Sequence, residues 1–295
     1  MKTPPVCDYE GSDYQERFWE KGNRAYEDAA EVIALKRMLP SGSGHLLELG
    51  AGAGRNTPRY TGFEQITLLD YSTSQLKQAN ERLGDSKKYR FVAADVYRLP
   101  FAPGVFSAAT MIRTIHHLSD PLAAFEQLKT SMVDQGTFIL EFANKRNIKS
   151  IFRYWMKKQD WDPFTLDPVE FVELNYDFHP KRVYEWMHEA GFEIQKKIAV
   201  SYLRAGLIKR VFPLFILRGF EHIIQRAFSW ATLSPSIFLK SKVINDVEPS
   251  VGNAFFRCPS CSAYPLEDTP PLLVCKDCGK KYTVKDNIYD FRLEK

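Results

Sequence analysis

The chain has 295 residues, 44% of them hydrophobic, which allows one core of ordinary domain size and a small appendage. Its net charge of +4 is well short of the dense positive stripe of nucleic-acid-binding domains, so DNA is not an expected partner. Because the sequence carries neither a leader pattern nor a run of about eighteen apolar residues, we expect a cytoplasmic protein.

The first predicted element is a helix that ends at Pro40. Apolar residues recur there at helical spacing, on or near one face: Ala29, Val32, Ile33, Leu35 and Met38. Proline cannot continue a helix, so the chain leaves it just before the first apolar strand.

Residues 45–54 read HLLELGAGAG, a short apolar run followed by three glycines spaced by two. The run is typical of a buried parallel strand, and Gly50, Gly52 and Gly54 let the backbone turn tightly and approach a ligand. A dinucleotide-binding loop needs its third glycine one position later, where this chain has Arg55. The spacing favours a ligand without a pyrophosphate, with an ordinary tight turn as the alternative.

Two acidic residues downstream each end an apolar run. Asp70 closes residues 65–69, and Asp95 closes residues 90–94. In a doubly wound sheet the carboxyl ends of the strands present the ligand contacts. A carboxylate at Asp70 could accept hydrogen bonds from both ribose hydroxyls, and Asp95 could reach an adenine amino group.

These motifs resemble those of the class I S-adenosylmethionine-dependent methyltransferases, in the order ELGAGAG, LLD, AADVYRLPF and the run ending IRTIHHLSDP. The resemblance covers roughly residues 10 to 245. It implies a doubly wound, Rossmann-like α/β fold with seven strands, mostly parallel and with the last strand antiparallel. S-adenosylmethionine is the implied cofactor.

The resemblance also implies roles for single residues. The glycine loop would pass under the methionine part of the cofactor, Asp70 would bind the ribose, and Asp95 with Val96 would lie near the adenine. Glu48 matches the acid that often precedes the loop, where bracing of the loop is an equal alternative. Arg113 lies where the fourth strand lends backbone to the cofactor's amino group.

In the same family the segment before the first strand covers the cofactor. Tyr14, Phe18 and Trp19 are therefore candidate lid residues, and anchoring in the core is the alternative.

Further along, we predict strands at 105–112, 136–142, 192–202 and 236–243, and helices at 121–132 and 182–190. Residues 145–178 form an insertion rich in aromatic and acidic residues, which could be a substrate lid or an amphipathic cover over the sheet. Residues 204–230 mix basic and apolar residues. They could lie on a membrane surface, although burial against the sheet or a partner subunit is favoured.

His116 and His117 follow the fourth strand, where the family often places a residue that faces the substrate. A neutral imidazole there could take a proton from a hydroxyl or an acidic carbon, and His117 is the preferred candidate. A packing or capping role is the competing interpretation. Methylation of a pyrimidine at C5 is disfavoured, because the only cysteine of the large domain is Cys7, near the terminus.

Four cysteines form two CxxC knuckles, Cys258 with Cys261 and Cys275 with Cys278, separated by thirteen residues. This spacing predicts a structural zinc ribbon rather than a disulfide pair. The ribbon resembles small zinc-binding proteins that pair with methyltransferases, although its tail departs from their usual ending. We predict a methyltransferase domain at 1–248 and a zinc ribbon at 249–295.

The leading hypothesis is methyl transfer from S-adenosylmethionine to a small or lipophilic metabolite, with the ribbon as a docking or stabilising appendage. One alternative is RNA methylation guided by the ribbon, whose basic residues are Arg257, Lys276, Lys280, Lys281 and Lys285. Another is a non-catalytic partner that keeps only the fold.

Overall fold

The computed structural model describes residues 4–12, 19, 21–42, 44–84, 86–246 and 254–293. The candidate lid residues Tyr14 and Phe18 and the predicted domain boundary between 248 and 249 lie outside this part of the chain.

Seven strands build the sheet of the large domain and confirm the predicted fold class. They are β1 (His45–Leu49), β2 (Gln65–Asp70), β3 (Tyr89–Ala93), β4 (Phe106–Met111), β5 (Met132–Ala143), β8 (Phe192–Val200) and β9 (Ser236–Val243). Their order is β3-β2-β1-β4-β5-β9-β8. Neighbours from β3 to β5 are parallel, and β9 runs antiparallel to both β5 and β8, as predicted for the last strand.

Seven helices accompany these strands among the described residues. They are α1 (Ala25–Met38), α2 (Thr73–Leu83), α3 (Pro121–Ser131), α4 (Ile148–Trp155), α5 (Pro180–Glu189), α6 (Gly206–Val211) and α7 (Leu214–Ala227). The start of α2 has a direct cause, because the hydroxyl of Ser72 accepts the backbone N–H of Gln75. The start of α3 follows the same rule, since Asp120 accepts the N–H of Ala123 ahead of a proline-led first turn.

The sequence motifs lie together at the carboxyl ends of the parallel strands. Residues Leu46–Leu49 of β1 are buried, and β2 and β4 flank β1 on either side. Because β1 to β5 are parallel, the glycine loop, Asp70 and the turn after β4 all follow strand ends at the same side of the sheet.

The insertion holds α4 and a hairpin of β6 (Val169–Val172) and β7 (Asn175–Asp177), which form a separate two-stranded sheet. Its end is tied to the domain, since the backbone of Phe178 pairs with that of Asn144 and its side chain is buried. The middle of the insertion is largely exposed, whereas both of its ends are packed on the domain, where Lys145 and Phe178 are buried and bonded to each other through their backbones.

The ribbon adds three strands to this sheet, which makes it ten-stranded. They are β10 (Leu272–Val274), β11 (Lys281–Lys285) and β12 (Ile288–Asp290). Strand β12 pairs in parallel with β3, with Tyr289 opposite Val92. The edge of β3 is thereby covered by the chain's own C-terminal segment.

The ribbon also shares the core of the large domain. Phe256 is fully buried, forms a backbone bridge with Phe101, and packs its ring near those of Tyr289 and Phe291. The Nε of Arg257 donates to the carbonyl of Leu99 at 3.0 Å. The domain boundary stays a prediction, because this packing makes one continuous core of both parts.

The sequence favours burial of residues 204–230 against the sheet or a partner subunit. Burial against the sheet is wrong for most of the apolar side chains, and burial against a partner subunit stays a prediction. In α7 only Leu217 is a buried apolar residue, and Phe215, Phe220 and Ile223 are exposed. The reason is that the helix turns Glu221 and other polar groups inward, where they find hydrogen-bond partners. No helix in the described ranges is both long and apolar enough to cross a membrane.

Candidate functional site

The glycine loop after β1 forms the floor of a cavity, which we call the cofactor cavity. Its lining includes Gly50, Gly52, Leu69, Asp70 and Val96. A Cβ atom at Gly50 would lie 2.1 Å from the hydroxyl of Thr114, and φ is +65°, so only glycine fits there.

Asp70 ties the loop to the end of β2. Its Oδ2 accepts the backbone N–H of Gly52 at 2.8 Å, and its Oδ1 accepts that of Ser72 at 2.9 Å. Desolvation by burial raises the pKa of this carboxyl group above its usual value. A carboxylate has about four lone-pair positions, so each oxygen retains acceptor capacity for ribose hydroxyls.

Two other predicted cofactor residues lie off this cavity. Gly54 packs near Ala79 and Leu83 of α2. Asp95 accepts the N–H of Tyr97 at 2.9 Å, and the cavity is lined by its neighbours Ala94 and Val96. Contact of Gly54 or Asp95 with a cofactor stays a prediction.

A smaller cavity adjoins the cofactor cavity and shares Gly50, Gly52 and Arg113 with it. Glu48 lines it and is braced, because its carboxylate accepts hydrogen bonds from the hydroxyls of Thr57 at 2.6 Å and Tyr60 at 3.2 Å. Desolvation raises the pKa of Glu48 to about 7. The structure thus gives Glu48 both a bracing contact and a position on the cavity wall.

Trp19 lines the same smaller cavity. The guanidinium of Arg55 stacks over its ring at 3.5 Å, and Arg55 also pairs with Glu31 of α1 at 2.7 Å. These contacts fix the indole on the wall of the cavity that the glycine loop also lines, and a lid role for Trp19 stays a prediction beside anchoring in the core.

Arg113 has a left-handed backbone, with φ of +56°. Its N–H donates to Glu141 at 2.9 Å, and its Nε donates to Glu31 at 2.6 Å. The residue lines both cavities, where its buried ion pair fixes the guanidinium beside the loop.

His117 lies in the turn after β4 and is held at both ring nitrogens. Its Nδ1 is 2.8 Å from the carbonyl oxygen of Leu174, and its Nε2 is 3.0 Å from the hydroxyl of Tyr9. Because a carbonyl only accepts, Nδ1 carries the proton and Nε2 is the acceptor. Desolvation lowers the pKa of His117, so the neutral form prevails near pH 7.

A third cavity, which we call the acceptor cavity, meets the cofactor cavity at Tyr9, Arg113 and His117. It is polar, and its further lining residues are His116, Glu141, Ala143, Asn175, Arg204, Pro235 and Ser236. Among the described residues no hydrogen-bond partner reaches the Nδ1 of His116, and desolvation places the pKa of His116 well below its usual value.

Sequence reasoning missed several residues of this site. Val6, Cys7 and Tyr9 line the cofactor cavity, although they belong to a stretch with no periodic pattern. The resemblance pointed to the segment before β1 and so offered a signal, but the residues chosen lay further along. Burial raises the pKa of the Cys7 thiol, which disfavours a reactive thiolate even at this position.

The four ribbon cysteines cluster as the knuckle spacing predicts. Their sulfur atoms all lie within 4.8 Å of one another, with 3.6 Å between Cys258 and Cys278 and 3.6 Å between Cys261 and Cys275. Four thiolates around a tetrahedral zinc ion at about 2.3 Å are about 3.8 Å apart, whereas a disulfide needs about 2.05 Å. The donor set therefore fits zinc.

Comparison with known proteins supports the same family. Residues 47–140 match the family described as methyltransferase domain. An O-methyltransferase from Penicillium expansum is 27% identical over 123 residues, which are 38% of this chain and 44% of that protein. A demethylmenaquinone methyltransferase from Roseiflexus sp. is 25% identical over 203 residues, 64% of this chain and 82% of that protein. The chain spans less than half the length of three curated relatives that it matches.

Two solved structures show the same fold. An S-adenosylmethionine-dependent methyltransferase from Listeria monocytogenes has a TM-score of 0.54 at 15% identity, over 74% of this chain and 98% of that chain. A chain in the complex of the Haloferax volcanii Trm112 methyltransferase activator with a methyltransferase has a TM-score of 0.52 at 17% identity, over 79% of this chain and 98% of that chain. The family match falls on the strands that carry the cofactor cavity, so residues 47–140 match a methyltransferase domain and the chain has the fold of S-adenosylmethionine-dependent methyltransferases.

Proposed function

We propose that the protein transfers the methyl group of S-adenosylmethionine to a hydroxyl group or an acidic carbon of a small or lipophilic molecule. The observation that carries this proposal is the junction of the cofactor and acceptor cavities at Tyr9, Arg113 and His117. Relatives named as O-methyltransferase and demethylmenaquinone methyltransferase support an acceptor of this class.

The chain's own residues would hold the two reactants in line. S-adenosylmethionine, when bound, supplies an electrophilic methyl group on a sulfonium whose charge disperses during transfer. Asp70 positions the ribose, the glycine loop lies under the methionine part, and Trp19 with residues 6–9 excludes water. Alignment in a dry site can account for most of the rate acceleration in such a displacement.

His117 is proposed as the group that removes the acceptor's proton. Its Nε2 is an acceptor that faces the hydroxyl of Tyr9 at the cavity junction, so a proton can pass directly or through that hydroxyl. His116 is the weaker candidate, because its burial opposes protonation more strongly.

We further propose that Cys258, Cys261, Cys275 and Cys278 bind one structural zinc ion. The hydroxyl of Tyr282 lies 3.1 Å from the sulfur of Cys258, where it would donate a hydrogen bond to a bound thiolate. Zinc-bound thiolates persist in a reducing compartment, so the proposal keeps the cytoplasm as the location.

The ribbon is proposed to stabilise the domain within its own chain. In the Haloferax volcanii complex the activator is a separate protein, whereas here β12 of the ribbon covers β3. RNA binding by the ribbon is less well supported, because Arg257 is engaged with the domain and Lys276 pairs with Glu267.

The proposed function is tested by incubating the purified protein with methyl-labelled S-adenosylmethionine and a panel of phenols, quinols and transfer RNA. Label transfer to a phenol or quinol supports the proposal. Transfer only to RNA would contradict it, as would a protein that binds the cofactor and transfers to no member of the panel. The His117→Ala variant distinguishes enzymatic transfer from background.

A further inference from the structure

The helices between β8 and β9 turn their polar side toward the protein and their apolar side toward solvent, the opposite of an ordinary surface helix. On the inner side of α7, Glu221 accepts the N–H of Ser201 at 2.7 Å, and Gln225 donates to the carbonyl of Ala30 at 2.9 Å. On the outer side the apolar residues are exposed, and Phe215 is 75% exposed. This arrangement leaves a large apolar surface that no described residue of the chain covers.

A second helix presents the same kind of surface. Four apolar residues of α4 and its end are exposed at helical spacing: Ile148, Phe152, Trp155 and Met156. Trp155 is 70% exposed. Only Ser150 of this helix is buried, so α4 presents its apolar side outward as well.

The start of α4 is bonded to the segment that follows α7, in which Trp230 is 81% exposed. The N–H of Ile148 donates to the carbonyl of Leu233 at 2.9 Å, three residues after Trp230. The side chain of Asn144 donates to the carbonyl of Thr232 at 2.9 Å. We call the exposed apolar side chains of α4, α6 and α7, together with Phe228 and Trp230, the docking face.

The charges of the docking face have one sign. Segments 148–158 and 205–230 contain a single acidic residue, Glu221, which is buried. Their exposed basic residues are Lys149, Arg153, Lys157, Lys158, Arg210, Arg218 and Arg226. Exposed aromatic and aliphatic side chains edged by arginine and lysine are typical of helices that lie in the interface of an anionic bilayer.

The docking face is close in the chain to residues of the acceptor cavity. Arg204 of that cavity is two residues before α6, and Pro235 and Ser236 follow Trp230 closely in the chain.

We propose that the docking face binds the surface of a membrane that contains anionic lipids. A second copy of the chain is the main competing occupant, but such an interface would bring the seven exposed basic residues of the face close to those of the partner copy. Anionic headgroups neutralise these charges, while the acyl region receives the aromatic side chains. Binding of this kind requires no methyl donor and so stands apart from the proposed function.

The test is flotation of the full-length protein with vesicles, either pure phosphatidylcholine or an equal mixture of phosphatidylcholine and phosphatidylglycerol. We expect co-flotation with the anionic vesicles, much less with the neutral ones, and release at high salt. The Phe215→Glu and Trp230→Glu variants should each lower partitioning about tenfold or more, since each removes a large inserted side chain.

Two further variants keep the test decisive. Arg218→Gln with Arg226→Gln should weaken binding to anionic vesicles only, and these exposed positions leave folding intact. Leu272→Glu on the ribbon, at the opposite edge of the sheet, is the matched control and should float like the wild type. The proposal is overturned if the wild type ignores both vesicles, if Phe215→Glu binds unchanged, or if sedimentation shows a dimer that Phe215→Glu converts to monomer.

Discussion

The guanidinium of Arg292 lies 3.8 Å from the carboxylate of Glu10, and this ion pair joins the end of the ribbon to the N-terminal segment beside the cofactor cavity. Glu10 in turn accepts the backbone N–H groups of Thr73 and Ser74 at the start of α2. The ribbon therefore reaches the site through a short chain of contacts, in addition to its pairing with β3.

This link predicts that Arg292→Ala weakens binding of S-adenosylmethionine while zinc stays bound. The ion pair is partly exposed, so the loss should be at most about 1 kcal/mol, a few-fold in Kd by calorimetry. Lys77→Ala, which removes an exposed ion pair with Asp286 of the ribbon, is the control and should leave the affinity unchanged. If wild type and Arg292→Ala bind S-adenosylmethionine with equal affinity, the ribbon does not influence the cofactor site through this ion pair.

The zinc proposal predicts about one zinc ion per chain by elemental mass spectrometry. Cys275→Ser should lose the ion and lower the melting temperature, because a buried ligand and the packing of Phe256 are lost together. Cys7→Ser should keep the zinc, since Cys7 lies in the cofactor cavity. A zinc content that is the same in Cys275→Ser and in the wild type would contradict the assignment.

Replacement of Asp70 tests the cofactor cavity. Asp70→Ala should weaken binding of S-adenosylmethionine by roughly 1 to 3 kcal/mol, because ribose hydroxyls lose a charged acceptor and the loop loses its tie at Gly52. Asp70→Asn keeps an acceptor oxygen, so its affinity for S-adenosylmethionine should lie between those of the wild type and of Asp70→Ala. Glu81→Ala, on the exposed side of α2, controls for the loss of charge, and unchanged affinity of Asp70→Ala by calorimetry would exclude the role.

The assignment of His117 predicts a low pKa and a loss of turnover. Ring titration by NMR should give a pKa below the usual 6.5, because burial penalises the imidazolium. His117→Ala should lower kcat by roughly 10²- to 10⁴-fold for an acceptor whose proton must be removed, with unchanged affinity for the methyl donor. Tyr9→Phe should lower kcat less, and full activity of His117→Ala would show that the residue only packs.

Glu48 predicts a pH dependence of stability with a definite sign. Its folded pKa of about 7 exceeds the usual 4.5, so the folded state binds the extra proton between these values. This proton uptake stabilises the folded state by on the order of 3 kcal/mol below pH 4.5, and the stabilisation is lost as pH rises through 7. Between pH 5 and pH 8 the free energy of unfolding, measured with denaturant, should therefore fall less for Glu48→Gln than for the wild type. Equal decreases in the two proteins would contradict a raised pKa.

The central fold could be predicted because its signals are local. Each of β1, β2 and β3 is a short apolar run, and the segments between such runs show the periodicity of helices. The cluster of four cysteines could be predicted in the same way, since CxxC spacing alone places thiolates around one ion.

Other features depend on contacts between distant segments and could not be read from local patterns. The pairing of β12 with β3 joins residues that are about two hundred positions apart, and nothing in either strand specifies the other. The contact of Tyr9 with His117 spans 108 positions. The outward apolar side of α7 was misjudged because periodicity shows that a helix has two sides without showing which one is buried.

The most direct test of the account is a crystal structure of the protein with S-adenosylhomocysteine. The account predicts the adenosyl group in the cofactor cavity, with the ribose hydroxyls on Asp70 and the amino acid part over Gly50 and Gly52. A cavity that stays closed by side chains in the presence of saturating ligand, or a ligand bound elsewhere on the chain, would contradict it.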